Sequence, residues 1–167
     1  MWDVLDRIYE TGGRYFVVVT QGPVQHFPLY KAVERGGVGD SRGWENKTSY
    51  NTTAYEEKMM QYVRSVNTMI NQGAVFNLKV KDRWPGATVV IYDTYTLMSD
   101  MRADPERYFD APAEVNEPYG FCAPGVERPC PTKPDSPSRY MFFDDLHPSE
   151  RTCKNYYAFK TQHLTSI

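Results

Sequence analysis

The sequence predicts a mixed α/β fold built on parallel strands, and three stretches carry that prediction. Two short runs, YFVVVT at 15–20 and ATVVIY at 87–92, are continuously apolar and rich in β-branched residues, the composition of strands covered on both faces in a parallel sheet. Between them, from about Ala54 to Asp82, the residues Met60, Val63, Val66, Ile70, Ala74 and Leu78 recur every three or four positions as one apolar helical stripe. Strand, loop, helix, strand is the order of a crossover joining two parallel strands.

The elements follow in order. WDVLDRIYET (2–11) places Leu5, Ile8 and Tyr9 at helical spacing, and Gly12-Gly13 stop it. Gly22-Pro23 end the first strand, and 25–53 reads as a long irregular loop. The helical stripe admits a break at Gly73, where glycine costs about 1 kcal/mol. Short helical turns are expected at about 94–103 and 104–109, the second opened by Asp104-Pro105. A Pro-rich excursion from Pro112 to Ser138 leads to Tyr140-Met141-Phe142-Phe143. A last helix is expected from Pro148 to Leu164, packing through Tyr156, Ala158, Phe159 and Leu164.

Bulk properties narrow the function. The chain has 167 residues, 41% of them hydrophobic, and suits a single domain. A net charge of −2 with no basic block argues against nucleic acid as a partner. No apolar run reaches the roughly 20 residues that span a bilayer, and the N-terminus does not resemble a signal peptide. The three histidines are far apart and the cysteines form no CxxC pair, so neither a metal nor another cofactor is expected. Asn46-Lys47-Thr48 and Asn51-Thr52-Thr53 are glycosylation acceptors in one polar loop. Cys122 and Cys130 flank a short Pro/Gly-rich loop that a disulfide can close, and Cys153 reads as a buried thiol or a partner to something outside the chain.

The chemistry-bearing stretch is FFDDLHPSE, Phe142 to Glu150. Asp144 and His147 are three residues apart, so carboxylate and imidazole can meet on one face, as two members of a Ser-His-Asp triad do. Pro148 fits the first position of the following helix, which would aim its positive end at His147. Gly39-Asp40-Ser41 has the letters of a hydrolase nucleophile motif. Such a serine stands on a sharp turn directly after a buried strand, and no strand precedes Ser41, so it reads as a flexible surface turn instead.

With these pieces in order the chain resembles the C-terminal part of a GDSL/SGNH hydrolase, of the fungal secreted type grouped with carbohydrate esterases acting on acetylated sugars. GGRYFVVV resembles the family's fourth strand, SYNTTAYEEKM the start of the helix after it, and WPGATVVIYDTYTLMSDMRADPERYF the fifth strand and its helix. GFCAPGVERPC resembles the cysteine loop and FFDDLHPSE the Asp-x-x-His-Pro block. The resemblance implies a partial three-layer α/β/α sandwich over 1–167, a secreted location, an acylated small molecule or acetylated carbohydrate as substrate, Asp144 as orienting acid and His147 as general base.

The family's serine, glycine and asparagine blocks have no counterpart here, and Gly39-Asp40-Ser41 falls where the family has a variable loop. The expectation is therefore a portion of a hydrolase domain whose upstream half lies elsewhere, inactive by itself, with one strand edge unpaired. A second expectation, from a different class, is a non-catalytic carbohydrate-binding module using Trp2, Trp44, Trp84 and the tyrosines. A flavodoxin-like regulator would show acids at the tip of its first strand, and YFVVVTQGP has none.

Overall fold

A computed structural model of the chain describes residues 1–158 and 164–166. Strands β1 (Tyr15–Val19) and β2 (Thr88–Tyr92) pair in parallel, Val17 opposite Val90. Helix α2 (Thr52–Val75) lies between them in the chain, its Asn51 cap accepting the Ala54 N–H at 3.0 Å. The stripe is as read: Val63, Ile70, Ala74 and Leu78 are buried. The helix does not break at Gly73 and runs on as a π turn over Phe76–Val80. Packing explains this glycine, because a Cβ there would lie 2.6 Å from the indole of Trp2 on α1 (Trp2–Glu10).

Phe16, Val18, Val89 and Ile91 face α2 and form one core with Trp84, against which Trp2 and Leu5 of α1 pack. Each such side chain contributes on the order of 2 kcal/mol by leaving water. The other face of β1 differs from the expectation of two-sided cover. Tyr15, Val17 and Val19 are 86%, 64% and 51% exposed. A run of apolar residues states that a face is suited to burial, and the layer that buries it must come from other residues. Only one side of β1 receives such a layer among those described.

The sheet order is β1-β2-β5, where β5 (Leu164–Ser166) runs antiparallel to β2 with Leu164 opposite Tyr92. This corrects the expected helix to Leu164: α4 covers Glu150–Ala158, and Phe159 lies outside the described residues. The chain leaves the helix because Leu164–Ser166 can satisfy backbone groups on the second edge of β2. Nor does Pro148 open α4. Ser149 does, its Oγ accepting the Thr152 N–H at 3.1 Å, a bond proline cannot offer.

Helix α3 (Thr94–Ala103), capped by Asp93, and a 3₁₀ turn at Pro105–Arg107 follow β2 as expected. The Pro-rich excursion contains an unforeseen strand, β3 (Glu114–Pro118), parallel to β4 (Tyr140–Phe142). A second core of Phe27, Val63, Leu97, Met101, Met141 and Phe142 joins loop, helices and β4. The architecture is a partial α/β sandwich. Cys122 and Cys130 are joined with Cα atoms 5.0 Å apart. Cys153 is exposed rather than buried, because α4 turns that position to solvent. No described helix is long and apolar enough to cross a membrane.

The outer edge of β1 pairs with no strand among the described residues, and beside it stand exposed valines. Edges of this kind template association between chains. Replacing Val17→Lys is expected to suppress concentration-dependent self-association in light scattering while moving the unfolding free energy by no more than about 0.5 kcal/mol, the usual range for an exposed position.

Candidate active site

The dyad loop begins where β4 ends. Phe143 N–H donates to the His147 carbonyl at 2.8 Å, which closes residues 143–147 into a tight loop. Inside it the Asp144 Oδ1 accepts the N–H of Leu146 at 2.9 Å and of His147 at 2.6 Å. Both carboxylate oxygens also lie 2.9 Å from His147 Nδ1. One side chain therefore fixes the backbone of the turn and the orientation of the ring.

Burial by itself would raise the Asp144 pKa. The amides of His147 and Leu146, and then the imidazole, outweigh it and hold the carboxyl below its ordinary value. An ionised carboxylate only accepts, so Nδ1 is the nitrogen that donates to it, and in the neutral ring Nε2 carries the free lone pair. The His147 side chain is 68% exposed, so Nε2 is reachable by a group outside the loop. A cavity of about 260 Å³, lined in part by Tyr119, Phe143, Ser149 and Glu150, flanks the loop without including Asp144 or His147.

Ser41 is not on a flexible surface turn. It is fully buried, donates from Oγ to Asp145 Oδ2 at 2.6 Å, and pairs its backbone with Trp44. The expectation of a mobile turn fails because a carboxylate 104 positions away reaches its hydroxyl, which no local pattern announces.

Lys47, the middle residue of the first glycosylation tripeptide, is fully buried as well. Its ammonium donates to the carbonyls of Val38 at 2.7 Å, Lys31 at 2.8 Å and Pro28 at 3.3 Å. Burial pushes the amine down to about 8, against the opposing charges of Asp145, Glu34 and Glu56. Neither Lys47 nor Asp145 stood out in the sequence. The Asp144-Asp145 doublet was the one available sign that two acids serve this loop.

Asn46 and Asn51 are both exposed. Of the tryptophans weighed for sugar contact, Trp84 is core and Trp2 packs on it, ring centroids 6.1 Å apart. Trp44 instead joins Tyr50 and Tyr55 in a surface cluster with centroids 5.7, 5.1 and 5.6 Å apart. Among the described residues no group of His, Cys, Asp and Glu is arranged to hold a metal ion.

Comparison with known proteins adds one relation. The chain is 41% identical over 149 residues to an acetylesterase of Hypocrea jecorina, which takes in 89% of this chain and 42% of that protein. The chain thus spans less than half the length of the curated relative it matches. No protein-family model matches it.

Two outcomes follow from the titrating groups. Between about pH 8 and pH 10.5 the unfolded chain keeps the Lys47 proton and the folded chain does not, so stability rises with pH. Urea midpoints taken at pH 7.5 and 9.5 should show parent gaining about 2 kcal/mol on Lys47→Met across that interval, from the linkage of one group. For Asp144 the folded pKa is depressed, so its contribution is present above the unfolded value and lost as pH falls through the folded one. Asp144→Asn should cost about 1 kcal/mol near neutrality, the excess of a charged over a neutral hydrogen bond, with the gap to parent closing as acid titrates the lowered carboxyl of the folded chain.

Proposed function

We propose that this chain supplies the acid–base half of a GDSL/SGNH-type serine ester hydrolase acting on acylated small molecules or acetylated carbohydrates. The observation that carries the reading is the Asp144–His147 pair, with Nδ1 2.9 Å from both carboxylate oxygens and the ring open to solvent. The similarity to an acetylesterase supports the ester as substrate. The serine and the oxyanion donors come, in this reading, from polypeptide other than residues 1–167, and the chain is the C-terminal portion of a single domain.

In the assembled enzyme Nε2 of His147 removes the serine proton as the hydroxyl oxygen attacks the acyl carbonyl. Asp144 stabilises the imidazolium that forms and keeps Nε2 aimed at the serine. The tetrahedral intermediate collapses, the alcohol leaves with the proton from Nε2, and water then hydrolyses the acyl-enzyme by the same base. An extracellular location belongs to this reading. The Cys122–Cys130 bridge and the exposed acceptors Asn46 and Asn51 support it.

The test is hydrolysis of p-nitrophenyl acetate. The purified chain should stay at background, since triad members act as a unit and loss of serine costs about a millionfold. Fusion to the remainder of the Hypocrea jecorina acetylesterase should restore turnover, and His147→Gln in that fusion should remove at least about 10⁴ of it. Turnover by the chain alone that Ser41→Ala abolishes, or a fusion indifferent to His147, would defeat the proposal.

One observation favours a second reading, a non-catalytic carbohydrate-binding module. The Trp44, Tyr50 and Tyr55 rings form an aromatic surface patch of the kind sugars stack on, and the Tyr50 and Tyr55 side chains are exposed. Saturable oligosaccharide binding by the chain, with no turnover in the fusion, would favour it over the hydrolase.

A further inference from the structure

The buried hydroxyl of Ser41 is the feature the hydrolase reading leaves unused. A nucleophile needs an exposed oxygen with its proton directed at a base. Ser41 has no exposure, and its one proton goes to the carboxylate of Asp145, Oδ2 at 2.6 Å, and not to an imidazole. Its oxygen also accepts the N–H of Gly43 at 3.2 Å and of Trp44 at 3.3 Å. The hydroxyl thus uses its donor and both lone pairs inside the protein.

The partner matters more than the serine. Asp145 is the residue between Asp144 and Leu146, so whatever holds its side chain holds the middle of the dyad loop. Three further observations bear on this point. The Asp145 carbonyl accepts the Leu29 N–H at 2.8 Å. A Cβ on Gly43 would stand 3.3 Å from Asp145 Oδ2, so glycine lets the turn approach this carboxylate without crowding it. The buried Lys47 ammonium lies within the field of the same carboxylate and offsets its charge. On the other side, Phe143 O accepts the Gly120 N–H at 2.8 Å, and Arg42 N–H donates to Cys122 O at 2.9 Å, so the Ser41 turn and the dyad loop share a neighbour in the disulfide segment.

We infer that Ser41 is a positioning residue: its hydrogen bond to Asp145 clamps the 143–147 loop and thereby fixes the direction in which His147 presents Nε2. This rests on the hydrolase reading for its purpose and on the geometry alone for its existence. In this role Gly39-Asp40-Ser41 holds the catalytic loop in place and performs no covalent chemistry.

The experiment reads the dyad directly in the chain as it exists. In ¹H–¹⁵N spectra of the imidazoles, the hydrogen-bonded Nδ1–H resonance of His147 is assigned by its loss in His147→Gln. Ser41→Ala should broaden that resonance or shift it upfield and make the two nitrogens more alike as tautomers mix, while the backbone amide spectrum remains that of a folded protein. Ser41→Thr, which keeps the hydroxyl, should restore the parent signal. Should Ser41→Ala fail to fold, Asp145→Asn supplies the second measurement and is expected to perturb His147 in the same direction.

An unchanged Nδ1–H signal in either folded variant, accompanied only by a lower melting temperature, would overturn the clamp and leave Ser41 a packing residue. Covalent labelling of Ser41 by a fluorophosphonate would overturn it from the other side, by making the serine a nucleophile. In the active fusion, Ser41→Ala should lower kcat about tenfold or more with KM little changed. A His147 signal that responds to Ser41→Ala in a fusion with no His147-dependent hydrolysis would sustain the clamp and refute the hydrolase, so the two failures are distinguishable.

Discussion

One carboxylate carries two duties at the centre of this molecule. Asp144 must receive the amides of Leu146 and His147 for the loop to close, and it must face the imidazole for the ring to be held. Because the same oxygen serves both, ring and backbone cannot be oriented independently. The remaining structure follows that demand: β4 brings Phe142 into the core just before the loop, and Ser149 starts α4 immediately after it. The segment between is short enough that rigid elements on both sides fix it.

The sheet is built to a different standard. Its inner side is dry and closely packed, with Val89 and Trp84 almost without solvent contact, while the opposite side of β1 displays tyrosine and valine to water. Parallel strands ordinarily receive helices on both faces. Here the second edge of β2 is closed by the short antiparallel β5, and β1 has no such companion among the described residues. The molecule therefore combines a hydrogen-bonded Asp–His loop with a sheet margin that is chemically suited to further contact.

Much of this was legible because it is local or repetitive. The α2 stripe repeats over many turns, so no single residue decides it, and the Asp144–His147 meeting depends on a separation of three. Strand identity was readable from β-branched runs, but their exposure was not, since a valine carries no information about which layer will lie over it. β3 escaped notice because EVNEP offers little strand propensity, and only its pairing with β4 makes it a strand. Ser41 and Lys47 were opaque for the same physical reason. Their environments are made by carbonyls and a carboxylate remote in sequence, and a lysine inside a polar tripeptide gives no sign that Pro28, Lys31 and Val38 will converge on it.

The sealed amine at Lys47 also makes the molecule a recorder of its own opening. Reagents that acylate lysines meet solvated side chains at once, yet this one becomes available only when the 28–38 segment lifts away. Mapping how slowly that single position is modified, relative to its neighbours, reports how readily the segment over Lys47 opens.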